Sequence, residues 1–182
     1  MVNIALVGCN GKMGKAVTSA VQSRNDCEIV FGADPFGTPA YDYPVFESLA
    51  VSDKKADVII DFSNPASLDD ILAYALEKKI PCVLCTTGYS PEQVEKIKKA
   101  SESVAVFYSG NMSLGINLLI ELSKEAAKIL SAADFDIEIV EKHHNQKIDA
   151  PSGTALMIAD GISDTLAEEP QYVYDRHSYR KK

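Results

Sequence analysis

Apolar positions come in short blocks that switch between two periods along the chain. Asn3–Val7 is an apolar strand, and Gly11–Arg24 carries Met13, Val17 and Val21 at helical spacing. Glu28–Ala33 reads as a second strand, ending at Asp34-Pro35, and Pro35 to Pro44, rich in Pro, Gly and Tyr, as a loop. Asp57–Phe62 predicts a strand, and Ser67–Lys78 a helix with Leu68, Ile71, Leu72, Ala75 and Leu76 inward. Cys82–Cys85 is a strand, Pro91–Ser101 a helix with proline in its first turn, and Val104–Tyr108 another strand. Apolar strands separated by helices predict an α/β fold, a doubly wound parallel sheet covered on both faces.

After Ser109 the texture changes. Ser113–Leu130 is a long, strongly apolar helix, and Ser152–Leu166 is a shorter one. Between them Asp134–Glu141 alternates, with Phe135, Ile137 and Ile139 on one face and Asp136, Glu138 and Val140 on the other. A period of two predicts a strand with one face toward a core. The expected organisation is a first domain over 1–110 and, over 111–182, an incomplete α+β domain for substrate binding or oligomerisation. Its basic, polar end, Arg176–Lys182, offers no final element to close a sheet.

Composition narrows the function classes. The hydrophobic fraction of 46% is ample for a core, which excludes wholesale disorder. The net charge of −8 argues against nucleic acid and anionic membranes as partners. No apolar run reaches the roughly 18 residues of a membrane span, and the N-terminus lacks the basic flank of a signal peptide, so a cytoplasmic protein is expected. Cys9, Cys27, Cys82 and Cys85 are too scattered for a disulfide framework. Cys82 and Cys85 form a C-x-x-C, but on a short strand they point to opposite faces and read as small apolar residues.

Two segments carry chemistry. Gly8-Cys9-Asn10-Gly11-Lys12-Met13-Gly14 follows a strand and opens a helix. Residues without Cβ permit a tight turn there and bring N–H groups to a pyrophosphate at the helix N-terminus. Asp34 stands twenty residues after Gly14, where an acid binds adenosine ribose hydroxyls; alternatively it caps the turn before Pro35. Dinucleotide binding on a Rossmann-like sheet is the expectation. A carboxylate repels a 2′-phosphate and no Arg follows Asp34, so NADH is favoured over NADPH, although Lys12 could offset the repulsion.

The second segment runs from Glu141 to Ala155. It holds His143, His144 and Lys147, then Ser152-Gly153-Thr154 at a helix N-terminus. Free N–H groups, hydroxyls and a lysine suit a small polyanion, and histidines donate protons near neutral pH. A solvated loop before a capped helix is the plain alternative. Zinc is disfavoured, with no Cys or carboxylate at ligand spacing.

Glu-x-His-His-x-x-Lys-x-Asp-Ala-Pro-Ser-Gly-Thr-Ala closely resembles the signature of the dihydrodipicolinate (4-hydroxy-tetrahydrodipicolinate) reductases of bacterial lysine biosynthesis. The resemblance extends to the glycine loop, Asp61-Phe-Ser63, Thr86-Thr-Gly88 and Asn111-Met-Ser-Leu-Gly-x-Asn117. It implies NAD(P)H-dependent reduction of a cyclic dicarboxylate imine. Gly8 to Gly14 would hold the pyrophosphate and Asp34 the ribose. Cys85, Thr86, Thr87 and Gly88, with Ser109, Gly110, Asn111 and Met112, would line the nicotinamide end. His143 matches the family's proton donor and Lys147 its second catalytic group; His144, Ser152, Gly153 and Thr154 would hold substrate carboxylates. The resemblance also implies a homotetramer, and members that continue well past residue 182. The family usually has Gly at the position of Cys85. Two rivals are another Rossmann oxidoreductase acting on a small amino or hydroxy acid, and a non-catalytic dinucleotide-binding fragment.

Overall fold

The computed structural model describes residues 1–36, 41–145 and 150–174. They fall into two compact units, Met1–Met112 and Ser113–Lys182.

In the first unit β1 (Val2–Val7) leads through α1 (Lys12–Gln22) to β2 (Cys27–Ala33) and a two-residue β3 (Val45–Phe46). Then follow β4 (Val58–Asp61), α2 (Leu68–Lys78), β5 (Cys82–Leu84), α3 (Pro91–Ser101) and β6 (Val106–Tyr108). The strands form one parallel sheet in the order β3-β2-β1-β4-β5-β6. The chain first moves one way from β1, then returns to build outward from β4, so the crevice beyond the carboxyl ends of β1 and β4 is the switch point.

The inner strands are apolar on both faces because helices cover both. Ala5, Val7, Phe31, Ile59 and Leu84 pack with Leu68, Ile71, Leu72 and Ala75 of α2 and Ile97 of α3. Ile4, Leu6 and Ile29 pack on the other side with Val17 and Val21 of α1. Burying one such side chain contributes about 1.5–3 kcal/mol. The α3 helix starts where its sequence directs. Ser90 and Gln93 form a reciprocal capping box, and Pro91 occupies the first turn, where no donor is needed.

Three local expectations are corrected. Met13 is 51% exposed, because close approach of the glycine loop turns Gly14 and Thr18 of α1 inward instead. Leu76 is 40% exposed, since Leu68, Ile71, Leu72 and Ala75 already complete the buried stripe. The third sheet strand escaped the sequence reading because two residues are too few to show a period.

In the second unit α4 (Leu114–Ser131) packs on α5 (Gly153–Ser163). Gly161 permits the approach: a Cβ there would lie 2.9 Å from Ile120 Cγ2. The strand expected over Asp134–Glu141 is not formed. Alternation marks a surface suited to a sheet, but a strand also needs a neighbour for its backbone groups, and none pairs with this segment among the described residues. Residues 135–140 instead line an open cavity of about 460 Å³ with Leu119, Leu130, Ile158 and Ile162.

Candidate functional site

The candidate residues of the first unit stand at the carboxyl ends of parallel strands. After β1 the chain turns at Gly8, whose φ of +75° favours glycine; a Cβ there would sit 2.6 Å from the Phe62 carbonyl oxygen. A Cβ on Gly14 would fall onto the Gly8 carbonyl and Cys9. Gly11 caps α1, so the first-turn N–H groups from Lys12 onward lack helical partners. No acid stands in that turn to neutralise the dipole. The result is an anion cradle of backbone donors. Lys12 and Met13 are exposed beside it, whereas Cys9 is fully buried, its thiol donating to Asn10 Oδ1 at 3.9 Å. Burial, and then the charge of Asp34, push the Cys9 thiol up to about 11.

Asp34 follows directly on β2. Its Oδ1 accepts the Phe36 N–H at 2.9 Å, and its Oδ2 accepts the Asn10 N–H at 3.0 Å. The turn-capping role is therefore present, together with a tie to the glycine loop. Tyr41 and Tyr43 stack at 4.8 Å between ring centroids. The Tyr41 hydroxyl donates to the Cys9 carbonyl, and that of Tyr43 pairs with Thr18.

Beyond β4, β5 and β6 lies a second group. Cys85 is buried and donates its N–H to the Asp61 carbonyl at 2.9 Å. Burial, and then Asp61, push its thiol, like that of Cys82, up to about 11. The Thr86 hydroxyl is buried with no hydrogen-bond partner among the described residues. Gly88 adopts a φ of +82°, and a Cβ on Gly110 would lie 3.2 Å from the Thr87 methyl. Ser109 Oγ accepts the Asn111 N–H at 3.2 Å and donates to its carbonyl at 2.7 Å. Met112 is 46% exposed. A glycine turn too close-packed for a Cβ at Gly8 or Gly14, and an orphaned buried hydroxyl on the same sheet edge, fit a nicotinamide dinucleotide.

In the second unit, Glu141 organises the signature segment. Its Oε1 accepts the Ser152 N–H at 2.9 Å, and its Oε2 faces His143 Nε2 at 2.8 Å. The bonds from Ser152, and then the histidine, lower the Glu141 carboxyl from 4.5 to about 2. Ser152 is buried and caps α5 by accepting the Ala155 N–H at 3.1 Å. Gly153 opens the helix at the surface, with nothing within 4 Å of its Cβ position, and Thr154 is half-buried beside it. His143 and His144 are exposed. Lys147 lies outside the described residues.

Sequence reasoning assigned no task to Asp61, Tyr89 or Glu141. An acid closing the apolar run of β4, and one standing two residues before a histidine, were the available signals.

The family model described as dihydrodipicolinate reductase, N-terminus, matches residues 2–112, and that described as dihydrodipicolinate reductase, C-terminus, matches 115–182. The 4-hydroxy-tetrahydrodipicolinate reductase of Clostridium tetani is 50% identical over 182 residues, covering 100% of this chain and 71% of the relative. That of Caldanaerobacter subterraneus subsp. tengcongensis is 49% identical over 178 residues, covering 98% and 70%. The solved structure of dipicolinate-bound dihydrodipicolinate reductase from Paenisporosarcina sp. TG-14 matches with a TM-score of 0.76 at 27% identity, covering 100% of this chain and 71% of that one.

Proposed function

The chain belongs to the dihydrodipicolinate reductase family, and on that premise we propose how its residues divide the family's reaction. It is an NAD(P)H-dependent oxidoreductase that reduces 4-hydroxy-tetrahydrodipicolinate to tetrahydrodipicolinate in diaminopimelate and lysine biosynthesis. The substrate hydroxyl leaves as water, so a proton is consumed along with the hydride. The dinucleotide, when bound, supplies that hydride.

In this reading the unit over 1–110 binds the dinucleotide. The N–H groups of the glycine loop hold the pyrophosphate, Asp34 the adenosine ribose, and Cys85 to Gly88 with Ser109 to Met112 border the nicotinamide. NADH is preferred, because Asp34 meets a 2′-phosphate with like charge and no Arg follows it to compensate. The remainder, 111–182, takes the small dicarboxylate. Gly153 and Thr154 present unpaired first-turn N–H groups and a hydroxyl to one carboxylate, with His144 adding a donor and Lys147 serving as the second catalytic group beside His143. His143 gives the proton, and Glu141 holds its ring against the start of α5. A homotetramer in the cytoplasm belongs to the same reading.

One observation supports it: Glu141 joins a histidine to the N-terminus of a Ser-Gly-Thr helix, the arrangement that a proton donor beside an anion site requires. The test follows NADH absorbance with the condensation product of pyruvate and aspartate semialdehyde. Oxidation that depends on this product is expected. Protein that binds NADH yet oxidises none of it overturns the assignment.

A further inference from the structure

Asp61 is the last residue of β4 and is wholly buried. Its Oδ1 accepts both the N–H and the hydroxyl of Ser63, at 2.9 and 2.5 Å. Its Oδ2 accepts the Tyr89 hydroxyl at 3.1 Å, across 28 residues of sequence. The backbone is equally engaged. The Asp61 carbonyl takes the Cys85 N–H, and the next residue donates its N–H to the Val7 carbonyl at 3.0 Å. It is the Phe62 carbonyl that Gly8 must avoid. Asp61 thus fastens the turn after β4 to the Thr86–Tyr89 loop after β5, and its neighbour Phe62 lies against the glycine loop after β1.

The place of this knot on the sheet gives it a task. With the pyrophosphate at the first glycine loop, the adenosine half of a dinucleotide lies toward β2 and Asp34. The nicotinamide half therefore lies toward β4 and β5, where Ser63, Thr86 and Tyr89 stand. A buried acid costs free energy unless its oxygens are well served, and here three donors serve them. Burial, and then the charge of Asp61, push the ionisation of Tyr89 upward, which keeps its hydroxyl a donor. Tyr89 leans in turn on Tyr108 at the end of β6, with ring centroids 5.5 Å apart.

We propose that Asp61 is a positioning residue for the nicotinamide half of the dinucleotide, acting through Ser63 and Tyr89 to hold the walls beyond β4 and β5. This rests on the dinucleotide-binding reading above. A merely structural acid would weaken all ligands of the unit together, whereas a positioning residue separates ligands that have the nicotinamide from those that lack it.

The experiment compares NADH with ADP-ribose, which keeps the pyrophosphate and adenosine but has no nicotinamide, by calorimetric titration. In Tyr89→Phe and Ser63→Ala, each lacking one donor to Asp61, NADH affinity falls about threefold to tenfold. ADP-ribose affinity moves by less than about twofold in the same variants. Asp61→Asn shows the same split, larger, and Ser63→Thr, which keeps the hydroxyl, restores NADH affinity. Should Asp61→Asn fail to fold, the two single-donor variants decide the matter. Equal losses for both ligands, or no loss for either, overturn the positioning role while leaving dinucleotide binding intact. A wild-type chain that binds neither ligand removes the dinucleotide reading itself, and this inference with it.

Discussion

Leu84 in β5 and Leu118 in α4 are the same side chain in opposite surroundings. Leu84 is wholly buried, whereas Leu118 is 57% exposed. The contrast holds for their units. The first supplies nearly every buried apolar residue; in the second, Ala127 and Ile162 are the only apolar side chains buried among the described residues. Leu114, Leu122 and Ile129 of α4 are exposed, as are Phe135 and Val140 beyond it. A parallel sheet with crossovers carries its own covering, since α1, α2 and α3 each return across it between strands. Two packed helices can cover only the faces they turn to one another. The unit that is self-sufficient in packing is also the one whose candidate ligand residues all follow from strand ends.

The sharpest way to divide the units is by function. His143→Ala, in the second, is expected to lower kcat roughly 10²–10⁴-fold, the usual loss of a general acid, while the dissociation constant for NADH stays within about twofold. Steady-state kinetics beside calorimetric titration measure both. A variant that keeps more than about a tenth of wild-type kcat ends the proton-donor role.

Stability should divide them next. Leu84→Ala leaves a cavity in the sheet core and is expected to cost about 2–5 kcal/mol in urea unfolding. Leu118→Ala should stay within about 0.5 kcal/mol, as exposed substitutions do. A similar cost at both positions would mean that the face of α4 is covered in solution.

A smaller effect concerns the choice of dinucleotide. Wild-type protein should bind NADH at least as tightly as NADPH, and Asp34→Ala should narrow the gap. A wild-type preference for NADPH of about tenfold, or 1.4 kcal/mol, breaks the argument from like charge. The substitution also removes the acceptor of the Asn10 N–H, so some loss for both dinucleotides is expected.

The gentlest probe is pH. The carboxyl of Glu141 is lowered from 4.5 to about 2 in the fold, so its contact with Ser152 contributes fully above about 4.5 and is lost as pH falls toward 2. The amide resonance of Ser152 should titrate with a midpoint near 2. A midpoint near 4.5 would show the contact absent in solution.

The parts legible in sequence were those governed by local pattern. Apolar runs buried on both faces and the turn chemistry of Gly8 and Pro91 announced β1, α1 and α3 directly. What escaped depended on partners far along the chain. Asp134–Glu141 has the right alternation, but alternation cannot supply the neighbouring strand that would make it a sheet. Asp61 and Tyr89 are 28 residues apart, and Glu141 and Ser152 are 11 apart, so no window shows that they meet. Glycine positions and the signature segment from Glu141 to Ala155 were visible as types and spacings; the carboxyl groups that brace them became visible only in three dimensions.

All four cysteines fall in the first unit, and three of them, Cys9, Cys82 and Cys85, are buried with thiols pushed up to about 11. Near neutral pH little of each is the reactive thiolate, even before access is considered. Alkylation of those thiols therefore waits for the sheet to open. The native chain carries its own chemical clock for one unit and none for the other. Slow labelling reads the lifetime of the sheet alone, whatever the helices of the second unit are doing.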